Sequence, residues 1–272
     1  MLKLTDQEFN RLTLFVNKYY GINLSKKRVL IENRMSNMLR SYGFTAFSQY
    51  FSFLCADKTG NEMAKMLNKL TTNYTYFMRE NEHFNFLIRK VLPIFEHTRP
   101  GKTLYIWCAG CSSGQEPYSM AMAINEYFGL RKGQWNTTIL ASDLSFDVLE
   151  KAKKGIYTSD EIKDIPPEWR TKYLVDLKNG SFQMSEQIRK EVIFRRINLM
   201  EPFEFKNKFD LIFCRNVMIY FDAHTKEKLI NKYYDWTADS GFLFVGHAES
   251  INREESKYTY IQPSIYQKRE AR

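Results

Sequence analysis

The chain has 272 residues, of which 44% are apolar, 15% aromatic and 26% charged, with only 12 glycines and 7 prolines. That is the composition of a globular chain with a sizeable core, and it excludes a disordered, fibrous or repeat-built one. Forty basic against 31 acidic residues give a net charge of +9, a field that favours an acidic partner, whether nucleic acid, anionic lipid or acidic protein.

Residues 1–90 carry fourteen of the basic and seven of the acidic residues. Phe9, Leu12, Phe15, Val16 and Tyr19 recur at helical spacing, as do Ile31, Met35, Met38 and Tyr42, with Gly21, Gly43 and Gly60 as punctuation. Asn81-Glu82 opens another helix carrying Phe84, Leu87, Ile88 and Val91. The pattern predicts a helical N-terminal domain over 1–90 and a linker over 91–100, marked by Pro93 and Arg99-Pro100-Gly101. The opening Met1-Leu2-Lys3-Leu4-Thr5-Asp6 has no apolar signal region, and every apolar stretch falls short of the roughly 20 residues that span a bilayer. A cytoplasmic protein without membrane insertion is expected.

From Thr103 the pattern changes. Short apolar runs (Leu104–Cys108, Ile139–Ala141, Val192–Phe194, Phe209–Cys214 and Phe242–Val245) alternate with helical segments, which predicts an α/β domain over 101–272 built on a mostly parallel sheet. The rhythm fails over about 163–191, where Pro166-Pro167 and Trp169 interrupt it. Asn179-Gly180, between Tyr173–Val175 and Phe182–Met184, reads as the two-residue turn of a hairpin, so a small antiparallel β insertion is expected there.

The first strand of this domain runs into Ala109-Gly110-Cys111-Ser112-Ser113-Gly114-Gln115-Glu116, with Pro117 read as the first helical residue. Glycines there let backbone approach a ligand, and the free amides of a helix start favour anionic groups. The second strand ends at Asp143, where nucleotide-binding α/β folds place the acid that grips ribose hydroxyls. The turn lacks G-x-G-x-x-G, which points away from a dinucleotide and toward another adenosyl cofactor. Cys108-Ala-Gly-Cys111 has no second pair, Cys55 and Cys214 stand apart from it, and His83, His97, His224 and His247 are scattered. Reduced thiols and no metal site are expected.

At this point the chain resembles the chemotaxis receptor methyltransferase (CheR) family. The stretches that carry the resemblance are Leu70–Glu80, the turn through Gln115-Glu-Pro-Tyr-Ser119, Ala141-Ser-Asp143, Asn198-Leu199, Cys214-Arg-Asn-Val-Met-Ile-Tyr-Phe-Asp222 and Gly246-His-Ala-Glu-Ser250, in family order. The resemblance implies a Rossmann-like class I methyltransferase domain behind the helical one. It implies S-adenosylmethionine as methyl donor, with S-adenosylhomocysteine as product, and glutamate carboxylates of chemotaxis receptors as acceptors, giving methyl esters in sensory adaptation. Asn73, Thr75, Arg79, Glu116, Asp143, Asn198, Leu199, Arg215 and Asn216 fall on cofactor positions, and Arg79 and Tyr220 on the catalytic ones nearest the reacting methyl. Chemically, Glu116 suits the cofactor's ammonium, Asp143 its ribose and Asn198 the adenine edge.

The lack of a Ser/His or His/Asp dyad agrees with this chemistry, because a glutamate of pKa about 4.3 is ionised at neutral pH and needs no base. Lys27, Arg34 and Arg40 lie on and just before a basic helix suited to the acidic coiled-coil cytoplasmic region of receptors. The hairpin Asp176-Leu-Lys-Asn-Gly-Ser181 has one glycine where receptor-tethered members carry Gly-x-Gly, so tethering by a receptor's C-terminal peptide is not expected. Two other readings stand beside this one. A nucleic-acid methyltransferase would suit the +9 charge, but no Asn/Asp-Pro-Pro-Tyr/Phe segment is present. The other is a non-catalytic cofactor-sensing or scaffold protein on the same fold, against which every cofactor motif is intact.

Overall fold

The computed structural model describes residues 2–71 and 74–269. Four helices open the chain: α1 (Asp6–Tyr20), α2 (Arg28–Ser41), α3 (Phe47–Ala56) and α4 (Asn61–Leu70). Helix α1 starts where it does because the Thr5 hydroxyl accepts from the Glu8 amide while the Glu8 carboxylate accepts from the Thr5 amide. It stops at Gly21, whose φ of 72° is the left-handed turn that ends helices. The apolar stripes meet in a core of their own around Val16, Ile31, Met35, Leu39, Tyr50 and Met66.

The segment expected as a linker is instead helix. Helix α5 (Asn81–Phe86) runs through a π-turn at Leu87–Val91 into α6 (Leu92–Thr98). Its residues Phe84, Leu87, Val91, Leu92 and Phe95 belong to the core of the sheet, with Phe95 and Phe86 edge-on to Phe242. Pro93, read as a break, is absorbed: the wider π-turn just before it relieves the missing N–H and the ring's crowding of the preceding turn.

The main sheet has seven strands: β1 (Ile106–Ala109), β2 (Ile139–Asp143), β6 (Val192–Arg196), β7 (Phe209–Cys214), β8 (Thr237–Val245), β9 (Thr259–Gln262) and β10 (Ile265–Gln267). Their order is β6-β2-β1-β7-β8-β10-β9, parallel through β8, with β10 antiparallel to both neighbours. Both faces are apolar, as a buried parallel sheet requires. Ile106, Cys108, Leu211, Phe213, Phe242 and Phe244 point to one face. Trp107, Ala109, Ile212, Cys214, Leu243 and Val245 point to the other. Helix α7 (Gln115–Phe128) packs on the first face and α11 (Ala223–Trp236) on the second.

A separate three-stranded antiparallel sheet, in the order β3-β5-β4, holds β3 (Ile156–Thr158), β4 (Leu174–Asp176) and β5 (Ser181–Met184). It therefore opens before residue 163, because the strand after α8 (Phe146–Lys154) supplies its third member. Helices α9 (Pro167–Tyr173) and α10 (Glu186–Lys190) flank the hairpin. The Leu177 amide donates to the Ser181 carbonyl at 3.0 Å, which makes the turn three residues long, Lys178 to Gly180, rather than two. Lys178 and Gly180, at φ of 62° and 79°, share the left-handed geometry that Asn-Gly was read to supply.

The helical domain is held across the carboxyl ends of the main strands. Arg196, at the end of β6, donates to the carbonyls of Thr59 and Gly60 at 2.7 and 2.9 Å and to Leu144 at 2.9 Å. Asn17 donates to Asp222, and the Asn23 amide to the Tyr220 carbonyl at 2.8 Å.

Candidate active site

Parallel α/β sheets bind ligands beyond the carboxyl ends of their strands, where the connections diverge to opposite sides. Here that point lies between β1 and β7, since β1 leads on to β2 on one side and is flanked by β7 on the other. A cavity of about 340 Å³ opens there, a size typical of small-molecule sites. Strand ends line it with Gly110, Asp143, Arg215 and Asn216, while Tyr20, Ile22, Leu67 and Asn68 of the helical domain close the far side.

The turn after β1 is shaped by two glycines. A Cβ on Gly110, at φ +94°, would fall 2.3 Å from Val217 Cγ2, and one on Gly114, at φ +95°, would meet Ala152 and the Tyr157 hydroxyl at 2.9 Å. Only glycine fits either place. Helix α7 then starts at Gln115, so Pro117 is its third residue and not its first. The first four helical amides have no partner within the helix, so proline costs nothing there either.

Asp143 ends β2. Its carboxylate accepts the Ser112 amide at 2.9 Å and the Ser145 amide at 3.1 Å, which fixes its orientation and leaves lone pairs for a diol. Burial pushes its pKa up, partly offset by those amides. Glu116, in the first turn of α7, takes Nη1 of Arg215 at 2.9 Å on Oε2 and the Cys108 thiol at 3.1 Å on Oε1. Burial raises its pKa against the pull of Arg215, so a ligand ammonium beside it would be stabilising.

Arg215 is the electrostatic centre of this wall. Its side chain has no exposed surface and pairs with Glu116 at 2.9 Å and with Glu80 at 3.1 Å. Its guanidinium lies over the rings of Phe84 and Phe213. Burial pushes the Glu80 pKa up, but Arg215, Asn216 and the His247 amide outweigh it and hold the carboxyl below its usual range. Glu249 anchors the strand end in another way: its buried carboxylate accepts the amides of Gly246 and Asn216 at 2.6 and 2.7 Å, and that of Ile219 at 3.2 Å. Asn216 can therefore sit at φ 58°.

Thr75, Arg79, Glu116, Asp143, Asn198, Leu199, Arg215, Asn216 and Tyr220 all line this one cavity. Asn73 lies outside the described residues. Two assignments change in detail. The Asn198 amide donates to the Tyr19 carbonyl at 3.0 Å and to Glu201, and it accepts from the Met200 amide. It thus ties the end of α1 to the wall, and an adenine edge would have to displace one of these bonds. Arg79 donates from Nη1 to the Tyr74 carbonyl at 2.7 Å, so it also closes the loop that carries Thr75.

The sequence reading missed Glu80, Glu249 and Ser112, and it missed the helical domain's share of the wall. Glu80 and Glu249 lie inside the two motif stretches already noted, but nothing in their spacing shows that both meet the Cys214–Asp222 segment. On the helical domain, Lys27 and Arg40 are exposed. Arg34 is exposed too, but its Nη1 donates to the carbonyls of Lys69 and Thr71 at 3.2 and 3.1 Å, so it caps α4 beside the cavity.

The residues fit S-adenosylmethionine: a glycine cradle with no room for Cβ, a buried carboxyl with one cation partner for the ammonium, and an oriented aspartate for the ribose. Comparison with known proteins agrees. Residues 73–266 match the model of the CheR methyltransferase SAM-binding domain, and residues 7–71 that of the CheR methyltransferase all-alpha domain. The chain is 43% identical to the chemotaxis protein methyltransferase of Borreliella burgdorferi, over 98% of this chain and 96% of that one. It is 34% identical to that of Escherichia coli over 97% and 92%, and 33% identical to chemotaxis protein methyltransferase Cher2 of Pseudomonas putida over 96% and 97%. With its two matched domains meeting across one cavity, the chain belongs to the CheR family of S-adenosylmethionine-dependent methyltransferases.

Proposed function

We propose that the chain methylates glutamate side chains in the acidic coiled-coil cytoplasmic region of chemotaxis receptors, forming methyl esters. The observation that carries this reading is that Arg79 and Tyr220 share one cavity with the cofactor positions Glu116 and Asp143, in a chain similar over its length to chemotaxis protein methyltransferases. S-adenosylmethionine supplies an electrophilic methyl group on a sulfonium. A glutamate acceptor is already ionised at neutral pH. The protein's task is then to hold one carboxylate oxygen in line at about 3 Å and to keep water away.

The walls suit that task. No histidine or cysteine lines the cavity among the described residues, and its carboxyls are held by Arg215 and by the Ser112 and Ser145 amides. Ile22, Leu67, Val217, Ile219 and Phe221 give it apolar surface, and a weakly polar site favours a step in which opposite charges cancel. Arg79 and Tyr220 orient groups and exchange no protons. A guanidinium gripping the attacking oxygen would weaken it as a nucleophile, and Arg79 Nη1 is instead engaged by Tyr74.

The test is labelled S-adenosylmethionine supplied with a receptor cytoplasmic fragment, with RNA, or alone. Label released as methanol by mild base, only with receptor, is the expected result. Base-stable label on RNA would establish the nucleic-acid reading, and S-adenosylhomocysteine binding without transfer would establish a regulator.

A further inference from the structure

Behind the methyl-transfer cavity, three side chains from distant parts of the chain converge. Glu80 Oε2 lies 3.6 Å from Nδ1 of His83 and 3.9 Å from Nε2 of His247. The two rings stand edge-to-face with centroids 5.0 Å apart. One ligand atom from each of the three residues lies within 4.8 Å of the others. Four-coordinate sites with bonds of about 2.0–2.1 Å place ligand atoms about 3.3 Å apart, so shifts of about 1 Å or less would complete the set.

His83 is the feature that asks for a ligand. It is 1% exposed, and neither of its ring nitrogens has a hydrogen-bond partner among the described residues. Buried polar atoms are nearly always satisfied, and a neutral imidazole lone pair is what transition metals take. His247, half exposed, borders a shallow surface cavity also lined by Glu82 and Asp164, which gives an acidic approach and room for a water ligand.

We propose that Glu80, His83 and His247 bind a divalent transition-metal ion of the zinc class, with solvent as the fourth ligand. Histidine and carboxylate together suit zinc and its neighbours rather than calcium or magnesium. Arg215 shares Oε2 of Glu80 at 3.1 Å, so the ion displaces that contact. The guanidinium keeps Glu116 and the Arg79 carbonyl. The ion would pin the start of α5 to the end of β8. The proposal does not depend on the acceptor that the enzyme methylates.

The test uses metal-free full-length protein titrated with Zn2+ against a chromophoric chelator, and with Co2+ followed by absorption. One ion per chain is expected, with visible cobalt bands of a nitrogen and oxygen site and no thiolate band in the near ultraviolet. His247→Ala, at a half-exposed position, should weaken binding about tenfold or more, since even residues that only orient ligands are worth that much. At the same zinc concentration the melting temperature of the wild type should rise further than that of His247→Ala. No binding to the wild type, equal affinity in the variant, or a thiolate band assigning the ion to cysteines would each overturn the proposal.

Discussion

Nη1 of Arg215 sits 2.9 Å from Oε2 of Glu116, and the guanidinium that makes this contact has no exposed surface. The same group holds Glu80 at 3.1 Å, so one buried cation serves carboxyls from two elements. Removing one partner of a buried pair strands the other, at about 3–5 kcal/mol. Arg215→Met should lose stability of that order in urea unfolding. Arg215→Lys keeps the charge but not the forked geometry and should fall between. A loss under about 1 kcal/mol for Arg215→Met would mean that the carboxyls are protonated or hydrated without it.

Asp143 makes two kinds of contact, and a variant can separate them. Its carboxylate holds the Ser112 and Ser145 amides, and its remaining lone pairs face the cavity. Asp143→Ala loses charge-assisted bonds to a ribose worth about 1.5–3 kcal/mol each, so S-adenosylhomocysteine should bind about tenfold more weakly or worse. Asp143→Asn keeps a carbonyl for the turn and should recover stability more than affinity. Unchanged affinity by calorimetry in a folded Asp143→Ala protein would remove the ribose assignment.

What the sequence made legible follows from the range of its signals. Helical spacing in residues 1–70 and apolar runs from Leu104 onward report local burial, and both elements formed as read. Asp143 and Glu116 were visible because a strand end and a glycine turn are local features. The helix through Pro93 was not, because the core that absorbs it includes Phe242 and Phe244, far away in the chain. Arg34 looked like surface charge since nothing nearby shows that the carbonyls of Lys69 and Thr71 come to it. The histidines looked scattered for the same reason: only the pairing of β8 with its neighbours brings His247 to Glu80.

The raised carboxyl pKa values set the pH dependence of cofactor binding. Burial pushes Glu116 above its ordinary 4.5 and Asp143 above 3.8. Both hold their protons to higher pH than in the unfolded chain, so ionising them costs stability as pH rises through the raised values. A ligand ammonium prefers ionised Glu116 and reverses that penalty. Affinity should therefore climb with pH from the ordinary carboxylate range up to the raised value and be flat above it, with proton release on binding. Calorimetry in buffers of different ionisation enthalpy measures this directly. Glu116→Gln should flatten the Glu116 part of the profile, and an unchanged profile would place the titration elsewhere.

Arg79 and Tyr220 should separate turnover from affinity. If they orient reacting groups, Arg79→Ala and Tyr220→Phe lower kcat more than they weaken S-adenosylhomocysteine binding. Arg79 also closes the loop through the Tyr74 carbonyl, so its variant should show the larger rise in KM for cofactor. Losses equal in turnover and affinity for Tyr220→Phe would reduce it to a wall residue. With cofactor saturating, activity should persist into mildly acidic pH until the acceptor carboxylate itself protonates.

The basic helix can be dissected because its three cations are not equivalent. Lys27 and Arg40 are exposed, while Arg34 holds the carbonyls at the end of α4, next to the cavity residues Leu67, Asn68 and Thr71. Reversing Lys27 and Arg40 to glutamate should raise KM for receptor and leave stability and cofactor affinity alone. Added salt should mimic the effect, since screening shortens to about 8 Å at 0.15 M. Arg34→Glu should in addition lower the melting temperature and weaken cofactor binding, because the end of α4 loses its cap beside the cavity wall. Deleting a receptor's extreme C-terminus should matter little with a one-glycine turn between β4 and β5. If that deletion abolishes methylation while the Lys27 and Arg40 reversals change nothing, the docking surface is the small sheet, and the basic helix is a solvated face.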